Sequence, residues 1–369
     1  MDNNKSKTKS INSLKKKNEN QNEKKIISTV QNEKDGFNNK NLGPERIKFL
    51  CNLTKDSYSD HNWLDNTFTT FESINNILYL IYSNKDRSII AYNIIDNKKI
   101  IEIKNAHNKF ITNFRYYYDK FKNIDLIMSI SSFDNNLKLW NVNNWTCIID
   151  IKNINSSGSL VSACFLKDNN INYIVASNDR LSNCEKIKIF DFEGKKIKEI
   201  NDSNYLTCYI DSYYDNKFSK NYIITGNYKF VQSYDYNENK LYHKYCDEDQ
   251  NSHISIIFIN NNDTLKFIES CMDGNIRIWD FHSCILIDKI KIIDQYLIGI
   301  CLWNDDYLFI GTSQKSIILF DLKNKQVIKN LIGSNQYIVC VKKINHPKYG
   351  ECLISQGDEL NQIKLWVKK

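Results

Sequence analysis

Three features of the sequence predict an all-β chain arranged as a ring of repeated sheets. First, everything after Arg46 reads as short alternating or apolar runs separated by Asn, Asp, Ser and Lys turns, and no segment keeps a helical period over three turns. Second, one unit recurs seven times, a short strand that closes on an aromatic residue: Tyr92, Trp140, Phe190, Tyr234, Trp279, Phe320 and Trp366. The spacings are 48, 50, 44, 45, 41 and 46 residues, enough for four short strands and their turns, which is one propeller blade. Third, the seventh unit lacks an outer strand, because Trp366 stands three residues before the last residue, while a strand-like run at residues 46–54 has no partner of its own. The predicted fold is therefore a seven-bladed β-propeller closed by an N-terminal strand that completes the last blade, which removes an open sheet edge and supports both end blades.

In chain order, residues 1–44 carry few apolar side chains and no aromatic before Phe37. Such a segment buries too little surface to offset its ordering entropy, so it is expected to be a disordered Lys/Asn-rich tail, with the propeller occupying residues 45–369. In the run at 46–54, Ile47, Phe49, Cys51 and Leu53 alternate with polar residues, which predicts a strand with those four on its buried face; Leu50 alone breaks the alternation. The units ending at Tyr92, Trp140, Trp279 and Phe320 are followed by further amphipathic runs at 98–104, 146–152, 285–291 and 326–332, read as outer strands. Gly is scarce at 11 residues, and Asn, the ordinary residue most tolerant of the left-handed conformation, is expected to make the turns.

Charge and composition narrow the classes of function. Of the net +7, residues 1–25 hold +5, so the predicted body is nearly neutral and lacks the basic excess of a nucleic-acid-binding domain. The Lys15-Lys16-Lys17 cluster suits either a solvated tail or a weak tether to RNA or anionic lipid. Eleven Cys, no two within four residues of each other, fit neither zinc-knuckle spacing nor a secreted disulfide framework. No apolar run approaches the ~18 residues of a membrane span. The expected setting is reducing, cytoplasmic or nuclear. The Cys residues that sit inside strand runs, such as Cys164, are read as buried and inert.

The stretch Glu269-Ser-Cys-Met-Asp-Gly-Asn-Ile-Arg-Ile-Trp-Asp280 and its six relatives resemble the WD-repeat (β-transducin-like) family over residues 46–369. The resemblance implies a structural Asp six residues before the anchoring aromatic, bonded to a His from a Gly-His pair. Asp86, Asp134 and Asp273 stand at that spacing before Tyr92, Trp140 and Trp279, and Ala106-His107 takes the place of Gly-His ahead of Asp134. Ser252-His253 is a weaker counterpart. The other four blades carry Cys184, Tyr228, Gln314 and Leu360 at the Asp position and should lean on packing instead. The resemblance also implies a partner-docking face at the turn before each structural Asp, here Lys85, Phe133, Asn227, Met272 and Ser313, of which Phe133 and Met272 are large apolar residues in turns that ought to be polar.

Chemistry leaves little trace. Six His form no ligand-spaced cluster, no Gly-rich phosphate loop or Gly-x-Ser-x-Gly elbow occurs, and the paired Arg of phosphoinositide-binding propellers is replaced by Phe114-Arg115-Tyr116. No catalytic residue, metal or cofactor is expected. The sequence reads as a non-catalytic scaffold or adaptor for protein partners within a larger complex. A propeller enzyme with groups gathered at the channel mouth is the alternative, and an RNA or phosphoinositide tether through the tail the third reading. If the N-terminal strand closes the ring, removal of residues 1–44 should leave the thermal midpoint unchanged and removal of 1–55 should lower it steeply, as scanning calorimetry would show; equal midpoints would refute closure.

Overall fold

In the computed structural model the described residues are 43–59, 66–155, 160, 162–177, 186–201, 207–248, 253–261, 264–332, 336–357, 359–360 and 362–369. The tail expected over 1–44 therefore lies, for residues 1–42, outside them, as does Cys184. Seven four-stranded antiparallel sheets make a seven-bladed β-propeller. Blade 1 runs through Thr69–Glu72, Leu78–Ser83, Ile89–Asn93 and Lys98–Ile103, and blade 2 through Asn113–Asp119, Ile124–Ser131, Asn136–Asn141 and Thr146–Ile151. Blades 3 to 6 repeat the plan, beginning at Ala163–Asp168, Thr207–Asp215, His253–Asn261 and Leu297–Asn304. Blade 7 takes Ile338–His346, Gly350–Gly357 and Lys364–Lys368 from the C-terminal end and Ile47–Asn52 from the N-terminal end. Ile47–Asn52 pairs antiparallel with Lys364–Lys368, so the predicted closing strand is the outer strand of the last blade.

The aromatic anchors explain why the sheets assemble. The buried apolar residues among those described fall into seven clusters, and each contains the interface between one pair of adjacent blades; the cluster at blades 7 and 1 also takes in Ile254 and Ile298 of blades 5 and 6. Trp140 packs with Ile81, Ile89 and Ala91 of blade 1; Phe190 with Leu139 of blade 2; Tyr234 with Ile189 of blade 3. Trp279 packs with Tyr222 and Tyr245 of blade 4, Phe320 with Ile268 of blade 5, and Trp366 with Phe309 and Leu319 of blade 6. Tyr92 completes the ring against Leu365 and Val367 of blade 7. Every anchor thus leans on the preceding blade. A ring buried this way has seven interfaces for seven blades, and a buried aromatic at each is worth about 3–5 kcal/mol against truncation to Ala.

The register carries a second repeat that alternation conceals. Opposite each anchoring aromatic, the fourth strand holds one extra residue: Ile100, Ile148, Ile197, Tyr242, Ile287 and Ile328 in blades 1 to 6, and Leu50 in blade 7. The residue that broke the sequence pattern is a β-bulge, and the N-terminal strand has it at the same place as the six local outer strands. A bulge inverts the faces on one side of it. Ile47 and Phe49 lie on the same side of the bulge, yet Phe49 is not buried as the alternation predicts but 46% exposed on the outermost strand, edge-on to Trp366 at 5.7 Å, while Ile47 is fully buried between blades 6 and 7.

Turns follow the expected chemistry. Among the described residues, ten of the sixteen non-glycine positions with positive φ are Asn, so Asn does serve where other chains use Gly. Gly274 is an exception that must be Gly: its φ is +78° and a Cβ would stand 1.9 Å from the Ile293 carbonyl. The described thiols divide. Cys164, Cys271, Cys301, Cys340 and Cys352 are buried as expected, but Cys147, on the outermost strand of blade 2, and Cys246, just past the outermost strand of blade 4, are exposed. The unequal burial of Ile47 and Phe49 makes a discriminating prediction. Ile47→Asp should destabilise by about 3 kcal/mol or more and Phe49→Asp by about 1 kcal/mol in urea titrations, whereas an unbroken alternation would make the two equal.

Candidate functional site

The polar network inside the blades was the first expected site. In blade 2, Ser129 is its hub: its hydroxyl stands 2.7 Å from His107 Nε2 and accepts the Trp140 indole N–H at 2.8 Å. Asp134 takes a different hydrogen-bonding role. Its Oδ2 accepts the backbone N–H groups of Asn108 and Lys109 at 2.7 and 2.8 Å, pinning the link that follows His107. His107 Nδ1 finds no hydrogen-bond partner among the described residues. Burial, helped by the Lys138 ammonium, pushes the His107 pKa down to about 3, so the ring is neutral at pH 7.

Blade 5 builds the same place from other atoms. Glu269 accepts the Trp279 indole N–H at 2.8 Å, and the fully buried Arg277 donates to Asp273 at 2.6 Å and to Asp247 at 3.2 Å. Burial alone would raise the Asp273 carboxyl, but the Arg277 guanidinium and Asn275 hold it below the usual carboxylate range. In blade 7, Ser355 accepts from Trp366 at 2.9 Å. Ser129, Glu269 and Ser355 were not singled out from the sequence, yet a signal exists. Each anchoring Trp has a polar acceptor eleven or ten residues earlier on the paired strand, and the phenylalanine blades have Ala176 and Ile310 at the same register. In blade 1, Asp86 is exposed, and Asn84 Oδ1 accepts the turn N–H groups of Asp86 and Ser88 instead.

Four of the five residues of the expected docking face lie in the turns between the second and third strands of their blades, Asn227 ends the second strand of blade 4, and the five divide. Asn227 is 1% exposed, and its side-chain oxygen accepts the N–H groups of Lys229 and Phe230. Ser313 is buried and bonded to Tyr296 and Gln295. Met272 is half-buried against the cluster that holds Ile254 and Ile298. Lys85 and Phe133 reach solvent, Phe133 at 54% exposure. The Phe133 turn is rigid: Ser132–Asp134 is a 3₁₀ turn capped by left-handed Asn135, Ser132 bonds Thr112 at 2.7 Å, and Asp134 bonds the neighbouring link. That link is one wall of a cleft of about 550 Å3 between blades 1 and 2, lined by Lys85, Asp86, Arg87, Asn105, Asn108, Lys109 and Phe110. Phe110 packs on Tyr58 at 4.8 Å, and the Lys85 ammonium sits 5.8 Å from the Tyr58 ring centre.

At the centre of the ring, the innermost strands enclose a chamber of about 360 Å3. Its polar groups are spent on one another. Arg115 of blade 2 donates to the Ala163 and Ile210 carbonyls at 3.2 and 3.1 Å and lies 3.8 Å from Asp211. The Tyr209 hydroxyl donates to Asp211 at 2.8 Å, and Lys342 donates to Asn66 at 2.5 Å. Among the described residues no three His, Cys, Asp or Glu side chains are placed to hold a metal ion. His282, which the sequence left unassigned, ties two blades: Nε2 meets Asp215 at 2.8 Å and Nδ1 meets the Tyr242 hydroxyl at 3.1 Å.

No protein-family model matches the chain, and no curated protein matches its sequence. No helix among the described residues is long and apolar enough to cross a membrane.

The buried His107 ring has a pH signature. Its folded pKa lies below the unfolded value near 6.5, so between those two values the unfolded chain binds the extra proton and stability falls as pH falls. Between pH 6 and pH 5 the chain should lose about 1 kcal/mol more stability than a His107→Leu variant, read from urea midpoints at the two pH values.

Proposed function

We propose that this propeller is a WD-repeat-type scaffold, a non-catalytic platform that holds partner proteins on the face carrying the turns between second and third strands. The observation that carries the proposal is Phe133. A phenylalanine 54% exposed in a turn is costly to leave in water, and this one stands on a turn fixed from three sides. A pre-formed aromatic contact loses little conformational freedom on binding, which is the condition for a few residues to dominate an interface. The cleft between blades 1 and 2 adjoins it and gives the apolar contact a charged rim. The non-catalytic part is supported by the central chamber, where Arg115, Tyr209, Asp211 and Lys342 are engaged with protein atoms. A cytoplasmic or nuclear setting and membership of a larger complex belong to the same proposal.

Affinity capture compared with the Phe133→Glu variant tests it. Captured proteins should fall by about tenfold or more for those that use the face, with the melting temperature unchanged because the side chain is exposed. Undiminished capture of every partner by a folded variant would refute the face.

A further inference from the structure

We infer that the cleft between blades 1 and 2 binds an acidic peptide segment of a partner, with its carboxylates on Lys85, Arg87 and Lys109 and an apolar side chain on Phe110. The inference rests on the platform reading and names the chemistry of the partner. Three cations line the cleft against the single carboxylate of Asp86, on a body whose overall charge is near neutral. The arrangement of the walls is fixed by the backbone. Arg87 is held in the left-handed region at φ +60°, its carbonyl accepts from Ala106, and its guanidinium donates to the Asn108 carbonyl at 2.7 Å. Asn108 and Lys109 are in turn fixed by Asp134. Lys85 and Lys109 are exposed and so project long donors from a rigid frame. Phe110, tilted against the Tyr58 ring, supplies an apolar floor beside them.

Asp86 stands among these cations and would repel a dianionic phosphate more than single carboxylates spaced along a peptide, which favours Asp and Glu side chains as the ligand groups. The opposite face has the reverse character: a cleft of about 380 Å3 between blades 2 and 3 carries Asp119, Asp191 and Glu193 against Lys122. Of these two clefts, the one between blades 1 and 2 suits an acidic segment. Electrostatic attraction of this kind acts mainly on encounter rate and specificity and weakens with salt.

The test uses the full chain and a fluorescein-labelled Glu-Glu-Phe-Glu-Glu peptide, read by fluorescence anisotropy. Binding is expected at about 50 mM NaCl and should weaken several-fold at about 300 mM. The combined Lys85→Glu, Arg87→Glu and Lys109→Glu variant should lose about tenfold or more, and Phe110→Ala several-fold, while Lys122→Glu on the opposite face should bind as the parent does. A uridine decamer should not displace the peptide. The inference is overturned if the charge-reversed variant binds normally, if Lys122→Glu weakens binding as much, or if the RNA competes. Should the peptide fail to bind while Phe133→Glu still sheds partners, the acidic ligand is wrong and the platform stands. Peptide binding that depends on the three cations, together with partner capture indifferent to Phe133, overturns the platform reading and leaves the cleft as a peptide site.

Discussion

The structure depends on one constraint: every blade needs a neighbour on both sides, and a linear chain can satisfy that for its two ends only by bringing them together. Each anchoring aromatic is buried by the blade before it, so blade 1 is incomplete until Tyr92 meets Leu365 and Val367 of blade 7. Blade 7 is incomplete until Ile47–Asn52 pairs with Lys364–Lys368. Closure joins residues more than 300 positions apart, which costs chain entropy that rises only slowly with loop length. The gain is an entire blade interface, with Ile47 buried beside Trp366. Additional contacts reinforce the seam: Ile363 N–H donates to Thr54, Thr67 donates to Gln356, and Lys329 donates to the Glu45 and Ile47 carbonyls.

The parts of this architecture that were legible in the sequence are the parts that repeat at a fixed spacing along one strand. The seven aromatics, the Asp-Gly turn at Asp273 and Gly274, and the missing outer strand could be read because each is a local pattern or its absence. What escaped was set by pairing between strands. Leu50 looked like a defect until Trp366 lay opposite its neighbour, when it became the seventh copy of a bulge. Ser129, Glu269 and Ser355 sit on the strand beside the Trp they serve, across a turn whose length varies, so their spacing drifts by one. The face residues were harder still. An Asn or Ser in a turn can point outward or satisfy the turn itself, and Asn227 and Ser313 do the latter.

The polar cores show how much variation one blade plan tolerates. A buried indole N–H needs an acceptor, and a serine hydroxyl or a glutamate carboxylate meets the need equally. Choosing the glutamate has further demands. A fully buried Glu269 shares its blade with Arg277, which in turn engages Asp273 and Asp247, and Lys289 joins Asp247 at 2.8 Å. Blade 5 is therefore tied by charge where blade 2 is tied by neutral hydrogen bonds. A buried ionic network of this type is weak evidence for stability but fixes geometry, since a rearranged turn would strand a charge.

The seven bulges also govern how the molecule meets its own kind. A propeller carries seven outward strands, each a ready template for another chain to extend the sheet. Here every one is kinked near its middle, so no incoming strand can keep register along its length. Charged side chains line the same rim, among them Lys99 paired with Glu102, Lys196 with Glu199 and Lys289 with Asp247. The extra residue that each edge carries, often an isoleucine left partly in water at Ile100, Ile148, Ile197, Ile287 and Ile328, is the cost of a perimeter that refuses polymerisation. The circumference is thereby guarded against sheet extension along all seven of its edges.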